Sequence, residues 1–351
     1  MKTDIAIVGG GLAGLSLADR LHRRGVAFRL LEGRERLGGR ILTRDIQGGA
    51  FDLGPAWFWP GQPNMAALLD RLGLKAFEQH ALGDAVTEDE QGVVRRSFGF
   101  APMRGALRVE GGLRRVVDGL AAGLPGSNIR LAVQVHAAAR MGDHVRLTAE
   151  SASGALVIEA QQVVFAAPPR LVEERVRFDP PLPPKAAQAL RAIPTWMAGQ
   201  AKVLAVYDSP HWRKAGCSGD AFSRRGPLVE VHDASPRRGG PFALFGFVGV
   251  PAAVRVRHRD DILELSRRQL ARLFGDAMLR PEALILEDWS QEPCTATPLD
   301  HAPTHAHPAY GRPTCLEDLW EGRLHFAGTE MARLSGGLLE GALEVSASVF
   351  G

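Results

Sequence analysis

The stretch DIAIVGGGLAGLSLADRLHRRGVAFRLLEGRERLGGR, residues 4–40, carries the reading of the whole chain. Residues 4–8 are a short apolar run, the pattern of a strand buried on both faces. Gly9, Gly11 and Gly14 follow at G-x-G-x-x-G spacing. Residues 12–24 read as a helix that Gly25 stops. A second apolar run, 27–31, ends on Glu32. Strand, glycine turn, helix, strand and acid in this order predict a dinucleotide-binding unit.

Each position has a physical task. Gly9 permits the tight turn, Gly11 lets backbone approach a pyrophosphate, and Gly14 lets the helix pack close to the strand. The helix N-terminus offers unpaired N–H groups and positive partial charge to the diphosphate. A carboxylate at Glu32 accepts hydrogen bonds from ribose hydroxyls and repels a 2′-phosphate, which disfavours NADP.

Directly after Glu32 come Arg34, Arg36, Gly38, Gly39 and Arg40. Two glycines between arginines suit a second close approach of backbone to phosphate. The run EGRERLGGR (32–40) resembles the second signature of FAD-dependent amine oxidases. FDLGPAWFWP (51–60) resembles that family's turn under the flavin ring. The likeness continues at EGGLRRVVDGLA (110–121) and VVFAAPP (163–169), and closes with HFAGTE (325–330) and GGLLEGAL (336–343). On these motifs, in the family's order, the chain is identified as a member of the flavin monoamine oxidase superfamily.

That resemblance implies an α/β fold of two domains. A Rossmann-type FAD-binding domain would comprise 1–62, 108–180 and 292–351. A mainly antiparallel sheet with helices, over 63–107 and 181–291, would form the substrate domain. The implied cofactor is noncovalent FAD. Its contacts would be Gly9, Gly11, Leu12, Ala13 and Gly14 at the first turn, then Glu32, Gly33, Arg34, Gly39 and Arg40. Leu53, Gly54, Pro55, Ala56 and Trp57 would lie under the ring, Val135 at the adenine edge, with Ala167 and Trp289 adding contacts. Gly328, Thr329 and Glu330 would meet the ribityl and phosphate part. Gly337, Leu338 and Leu339 would aim the last helix at the N1–C2=O edge. A helix dipole there stabilises the negative charge that two-electron reduction brings.

Lys202, in QAKVLAVY (200–207), matches the family lysine that holds a water at flavin N5 and is the catalytic candidate. The alternative is an edge-strand lysine facing solvent. Trp57, Trp59 and Leu338 are the candidate substrate walls. The implied reaction is hydride-equivalent transfer from a carbon next to nitrogen to N5, with O2 reoxidising the flavin to give H2O2. The implied substrate is a small apolar amine. Two positions depart from the pattern. Leu338 stands where many amine oxidases carry an aromatic, and Cys294 lies in a loop where some relatives attach FAD, but its neighbours do not match an attachment site. Oxidation of a dihydropyridine in the manner of renalase, desaturation of a C–C bond, and flavin binding without turnover are the alternatives.

Composition bounds the rest. The 351 residues are enough for two domains, and 45% hydrophobic with 23% charged residues is ordinary for a globular protein. A net charge of +3 does not point to nucleic acid or a membrane surface. Cys217, Cys294 and Cys315 form no disulfide framework, no signal peptide precedes the first strand, and no apolar run has the length of a membrane span. A cytoplasmic location is expected. His301, His305 and His307 have a ligand-like spacing, but a proline interrupts them and no Cys or acid pairs with them, so no metal is expected. Strands are expected separately at 156–158 and 162–166, and a domain crossing at DPPLPPK (179–185). Fewer than sixty residues separate the flavin turn from the EGGL motif, which predicts a smaller-walled or more open pocket.

Overall fold

The computed structural model describes residues 1–302, 304 and 306–350. Its first sheet has eight strands, with β1 (Lys2–Val8) in the interior. β1 pairs in parallel with β2 (Phe28–Leu31) on one side and with the strand Gly154–Phe165 on the other. Two neighbours and two covered faces explain why residues 4–8 show no polar alternation. Helix α1 (Leu12–Arg23) is the crossover that a parallel pair requires, and it buries Leu15, Leu17 and Leu21. Val8 lies opposite both Leu31 and Phe165, so these three strands end together. The segments that follow them, from Gly9, Glu32 and Ala166, therefore open on one edge, where such sheets bind ligands.

The strands expected at 156–158 and 162–166 are one strand of 12 residues, Gly154–Phe165. Residues up to Ala160 pair antiparallel with His144–Ser151, and residues from Val163 pair in parallel with Leu324–Phe326. Gln161 and Gln162 sit where the strand passes from one neighbour to the next.

The second sheet has seven strands in the order Ala283–Asp288, Ala201–Tyr207, Phe242–Val248, Leu228–Asp233, Cys217–Ser223, Asp84–Glu88 and Val94–Ser97. Its pairs are antiparallel except Cys217–Ser223 with Asp84–Glu88. Alternation along Ala201–Tyr207 divides its side chains. Val203, Ala205 and Tyr207 join a core that includes Ile262, Leu270 and Phe274 of the helix Arg259–Phe274. Leu204 and Val206, on the face that Lys202 shares, pack instead with Phe51, Leu53, Ala56 and Trp289. That face is turned toward the segment expected under the flavin.

The helices Pro63–Arg71 and Pro184–Ala192 lie in the ranges expected for the substrate domain (63–107 and 181–291) and pack on the first sheet. Met65, Leu68 and Leu69 of the first, and Ala186 and Leu190 of the second, belong to the core of the first sheet. Leu182 of the DPPLPPK run lies in that core too, and after it the chain returns to the second sheet at Ala201. The cause for the first helix is electrostatic as well as apolar. Glu340 of the last helix accepts hydrogen bonds from the N–H groups of Asn64 and Met65, each at 2.9 Å, at its positive end. Among the described residues, no helix is long and apolar enough to cross a membrane.

Candidate active site

A cavity of about 630 Å³ runs between the two sheets, a size ordinary for a ligand site. At one end lies the glycine turn. Gly11 caps α1 without a side chain, no acid occupies the helix's first turn, and Gly11, Leu12 and Ala13 line the cavity. The first N–H groups of α1 thus face it without side-chain partners. The 33–40 segment packs against this turn. The Gly38 N–H donates to the Gly10 carbonyl at 2.8 Å, and a Cβ on Gly39 would come within 3.1 Å of the Gly11 Cα. The second glycine pair therefore lets two backbone loops meet beside the cavity.

Glu32 is buried at the same end. Its carboxylate accepts from the Gly10 N–H at 2.6 Å and the Arg34 N–H at 2.8 Å. Gly33, Arg34, Val135 and Cys294 line this end too. Arg34 donates to Glu292 and to the Thr295 hydroxyl, tying the loop after Trp289 to the Glu32 segment. Cys294 Sγ sits against Gly33, 3.2 Å from where a Cβ would be, so the thiol belongs to the Glu32 end.

At the other end are Leu53, Gly54, Pro55, Ala56, Trp57, Trp59, Trp289 and Lys202. The Trp289 indole N–H donates to the Leu53 carbonyl at 3.0 Å, and Lys202 Nζ donates to the Gly54 carbonyl at 2.6 Å. The alternative of a solvent-facing edge lysine fails, because Lys202 is 5% exposed on a strand paired on both sides. Phe245, Phe247 and Trp57 surround its ammonium, with ring centroids at 4.2, 5.2 and 5.9 Å. Burial pushes its pKa from 10.5 down to about 7, against the pull of the Asp52 carboxylate and with a smaller push from Arg108. Ala167, Gly328, Thr329, Gly337, Leu338 and Leu339 complete the wall. Leu338 caps the last helix, Leu339–Ser348, without a side-chain bond, so a second uncapped helix N-terminus meets the cavity.

Two candidates lie elsewhere. Glu330 is fully buried and outside the cavity wall, where its carboxylate holds Arg40 through bonds of 2.7 and 3.2 Å. Arg40 lines the cavity and Glu330 stands behind it, since an arginine held there needs a fixed counter-charge. Gly14 does not reach the cavity either. A Cβ there would overlap the Gly9 carbonyl and lie 3.3 Å from the Ala166 Cβ, so its task is close packing of helix on strand. Gly14→Ala is expected to cost about 1–3 kcal/mol of stability by overpacking. Thermal unfolding of flavin-loaded protein checks this, and an unchanged midpoint would show that α1 shifts freely.

Sequence reasoning missed Trp196, Met197, Gln200 and Phe247, all on the wall. Phe247 sits opposite Lys202 in the ladder, a register visible only once the strands pair. Of the three histidines, His305 lies outside the described residues, His301 reaches the Ser290 carbonyl, and His307 packs on Trp196. Among the described residues no group suited to a metal occurs.

The sequence profile described as flavin containing amine oxidoreductase matches residues 87–347, and one described as NAD(P)-binding Rossmann-like domain matches residues 7–72. The chain belongs to the flavin-containing amine oxidoreductase family. It is accordingly a flavin-dependent oxidoreductase with the two-part α/β fold of that family. A Mycobacterium tuberculosis protein named as a flavin-containing monoamine oxidase is 27% identical, over 97% of this chain and 94% of its own length. That alignment spans 443 positions against a chain of 351, so the relative carries segments with no counterpart in this oxidoreductase. Among solved structures, putrescine oxidase bound to putrescine superposes with a TM-score of 0.81 at 22% identity, covering 99% of this chain and 98% of that one. Cyclohexylamine oxidase from Brevibacterium oxydans gives 0.80 at 19% identity, covering 99% and 98%. At these identities the superpositions establish the fold.

Proposed function

We propose that this oxidoreductase holds FAD noncovalently and oxidises the C–N bond of a small apolar monoamine. The observation that carries the reading is Lys202, buried among three aromatics at the end of a cavity that two uncapped helix N-termini also meet. The wall suits FAD: Gly11 and Gly39 let two backbone loops meet beside the cavity where a diphosphate would lie, Arg40 is fixed on the wall, and Glu32 would meet the ribose. Bound FAD would supply a two-electron acceptor at N5, regenerated by O2 with release of H2O2. The first core, including the two helices that pack on it, would form the cofactor domain.

The protein's own groups account for activation of the amine. A free alkyl amine has a pKa of about 10 and donates hydride only after losing its proton. An apolar, aromatic enclosure disfavours the ammonium and lowers that pKa. Lys202, whose pKa is pushed down to about 7 so that both its charged and neutral forms are populated at pH 7, orients a water or accepts a proton beside the reacting carbon. Among the described wall residues Glu32 is the one carboxylate, and backbone N–H groups already occupy it. A second ammonium on the substrate would find no counter-charge, which favours monoamines over diamines. The three free cysteines fit a reducing cytoplasm.

The test is anaerobic bleaching of the bound flavin by benzylamine, cyclohexylamine and putrescine. The first two are expected to bleach it and putrescine to leave it oxidised. No reduction by any amine would end the reading. Acid denaturation of the yellow protein is expected to free all its flavin into the supernatant. Flavin that stays with the precipitate would show covalent attachment.

A further inference from the structure

Asp52 ends the strand Gly49–Asp52 just before the turn that Lys202 grips, and it stands behind the cavity wall rather than on it. We propose that Asp52 is a positioning residue for the reaction: its buried carboxylate ties that turn to the start of the helix Arg114–Ala122 and serves as the fixed counter-charge for the Lys202 ammonium. Its part in catalysis rests on the amine-oxidising reading above.

The carboxylate is buried, and among the described residues every hydrogen bond it makes is one it accepts. The Leu113 N–H donates to its two oxygens, at 3.0 and 3.2 Å. The Thr43 hydroxyl donates to it while accepting from the Arg114 N–H at 3.0 Å. Asp52 and Thr43 together thus satisfy the start of a helix whose own N-cap, Leu113, offers no side-chain bond. Burial raises the Asp52 pKa above the ordinary carboxylate value, while the Thr43 bond, Arg108, the Leu113 bond and Lys202 each pull it back. The EGGL motif supplies the room. Gly112 has a φ of +81°, and a Cβ there would overlap Thr43 Cγ2 and come within 3.1 Å of Asp52 Oδ1.

Two buried cations feel the field of this carboxylate. Arg108 directs its guanidinium to the Ser235 and Ala234 carbonyls, at 2.7 and 2.8 Å. Lys202 donates to the carbonyl of Gly54, two residues beyond Asp52. The Asp52 charge favours the ammonium form of Lys202, and the Arg108 charge opposes it. Glu287 stands opposite Lys202 in the ladder, but the charges acting on its carboxylate are those of Arg44, Glu292, Arg36 and Arg259. The other neighbours of the ammonium are the uncharged rings of Phe245, Phe247 and Trp57.

Flavin-loaded enzyme carrying carbon-13-labelled lysine tests this. Lysine is scarce, at positions 2, 75, 185, 202 and 214, so the Cε signal that Lys202→Met removes can be followed against pH. In the parent it is expected to titrate near 7. Asp52→Asn is expected to lower that midpoint by about one pH unit, and Arg108→Met to raise it. A site merely loosened by Asp52→Asn would admit water and move the midpoint up toward 10.5, so a rise, or no change, overturns the proposal. Asp52→Ser, a smaller neutral replacement that still accepts hydrogen bonds, gives the second reading if the amide does not fold, with the same fall expected. In anaerobic reduction by benzylamine, the acid limb of the rate against pH is expected to move down with the lysine midpoint. A limb that stays in place while the midpoint moves overturns the positioning role. If no amine reduces the parent, the amine-oxidising reading fails, and the lysine titration by itself still judges Asp52 as the counter-charge.

Discussion

Lys202→Met is expected to keep the flavin and lose most of the chemistry. Methionine keeps the length and apolar stem, and Phe245, Phe247 and Trp57 already surround the site with apolar surface. The contacts expected to hold FAD lie along Gly9 to Ala13, Glu32, Arg40 and the start of the last helix, so the variant should stay yellow. It loses the polar head at the Gly54 turn and whatever water that head orients. Flavin reduction by amine, reoxidation by O2, or both should slow by about a hundredfold, the scale of a positioned proton-transfer group. Stopped-flow traces of each half-reaction check this, and parent-like rates in both would make Lys202 an ordinary strand residue.

The same variant has a stability signature. Burial holds Lys202 near 7 in the folded chain, against 10.5 when exposed. Between those values the unfolded chain carries a proton that the folded chain does not, so this residue's contribution improves as pH rises from 7 to 10.5. At pH 7 and below its burial is costly, on the order of a few kcal/mol. Lys202→Met is therefore expected to melt higher than the parent at pH 7, with the gap narrowing toward pH 10. A constant gap would show that the lysine is not desolvated.

Glu32→Ala is expected to weaken FAD binding ten- to a hundredfold. A hydrogen bond to a charged group contributes about 1.5–3 kcal/mol, and the carboxylate is proposed to accept from the ribose hydroxyls. Removing it also strips acceptors from the Gly10 and Arg34 N–H groups, which join the glycine turn to the 33–40 segment. Melting of the flavin-free protein should fall too, by roughly 1–3 kcal/mol in stability for each N–H left buried without a partner. Glu32→Gln should recover only part of either loss, since its NH2 group faces a donor. Flavin titration and thermal unfolding measure the two effects, and an unchanged affinity would reduce Glu32 to a structural acid.

Sequence alone determined the βαβ unit at residues 4–32, because glycine spacing and apolar runs are local consequences of a tight turn and a doubly buried strand. It also determined that both chain ends build one site, since the closing motif repeats the pattern of strand, glycine turn and helix. Lys202 stood out as a lone cation in an apolar run. What only the tertiary structure decided depends on pairing between distant segments. Glu330 looked like a cofactor contact because it ends a binding motif, yet its carboxylate turns back to Arg40, 290 residues away. That the helices at Pro63–Arg71 and Pro184–Ala192 pack on the core of the first sheet was not legible, because an amphipathic face does not say which core it will meet. Phe247 enters the site through its ladder register with Lys202, and Trp196 through space that Gly337 leaves open. Strand register and the vacancy above a glycine are properties of the folded chain, and no spacing within one segment encodes them.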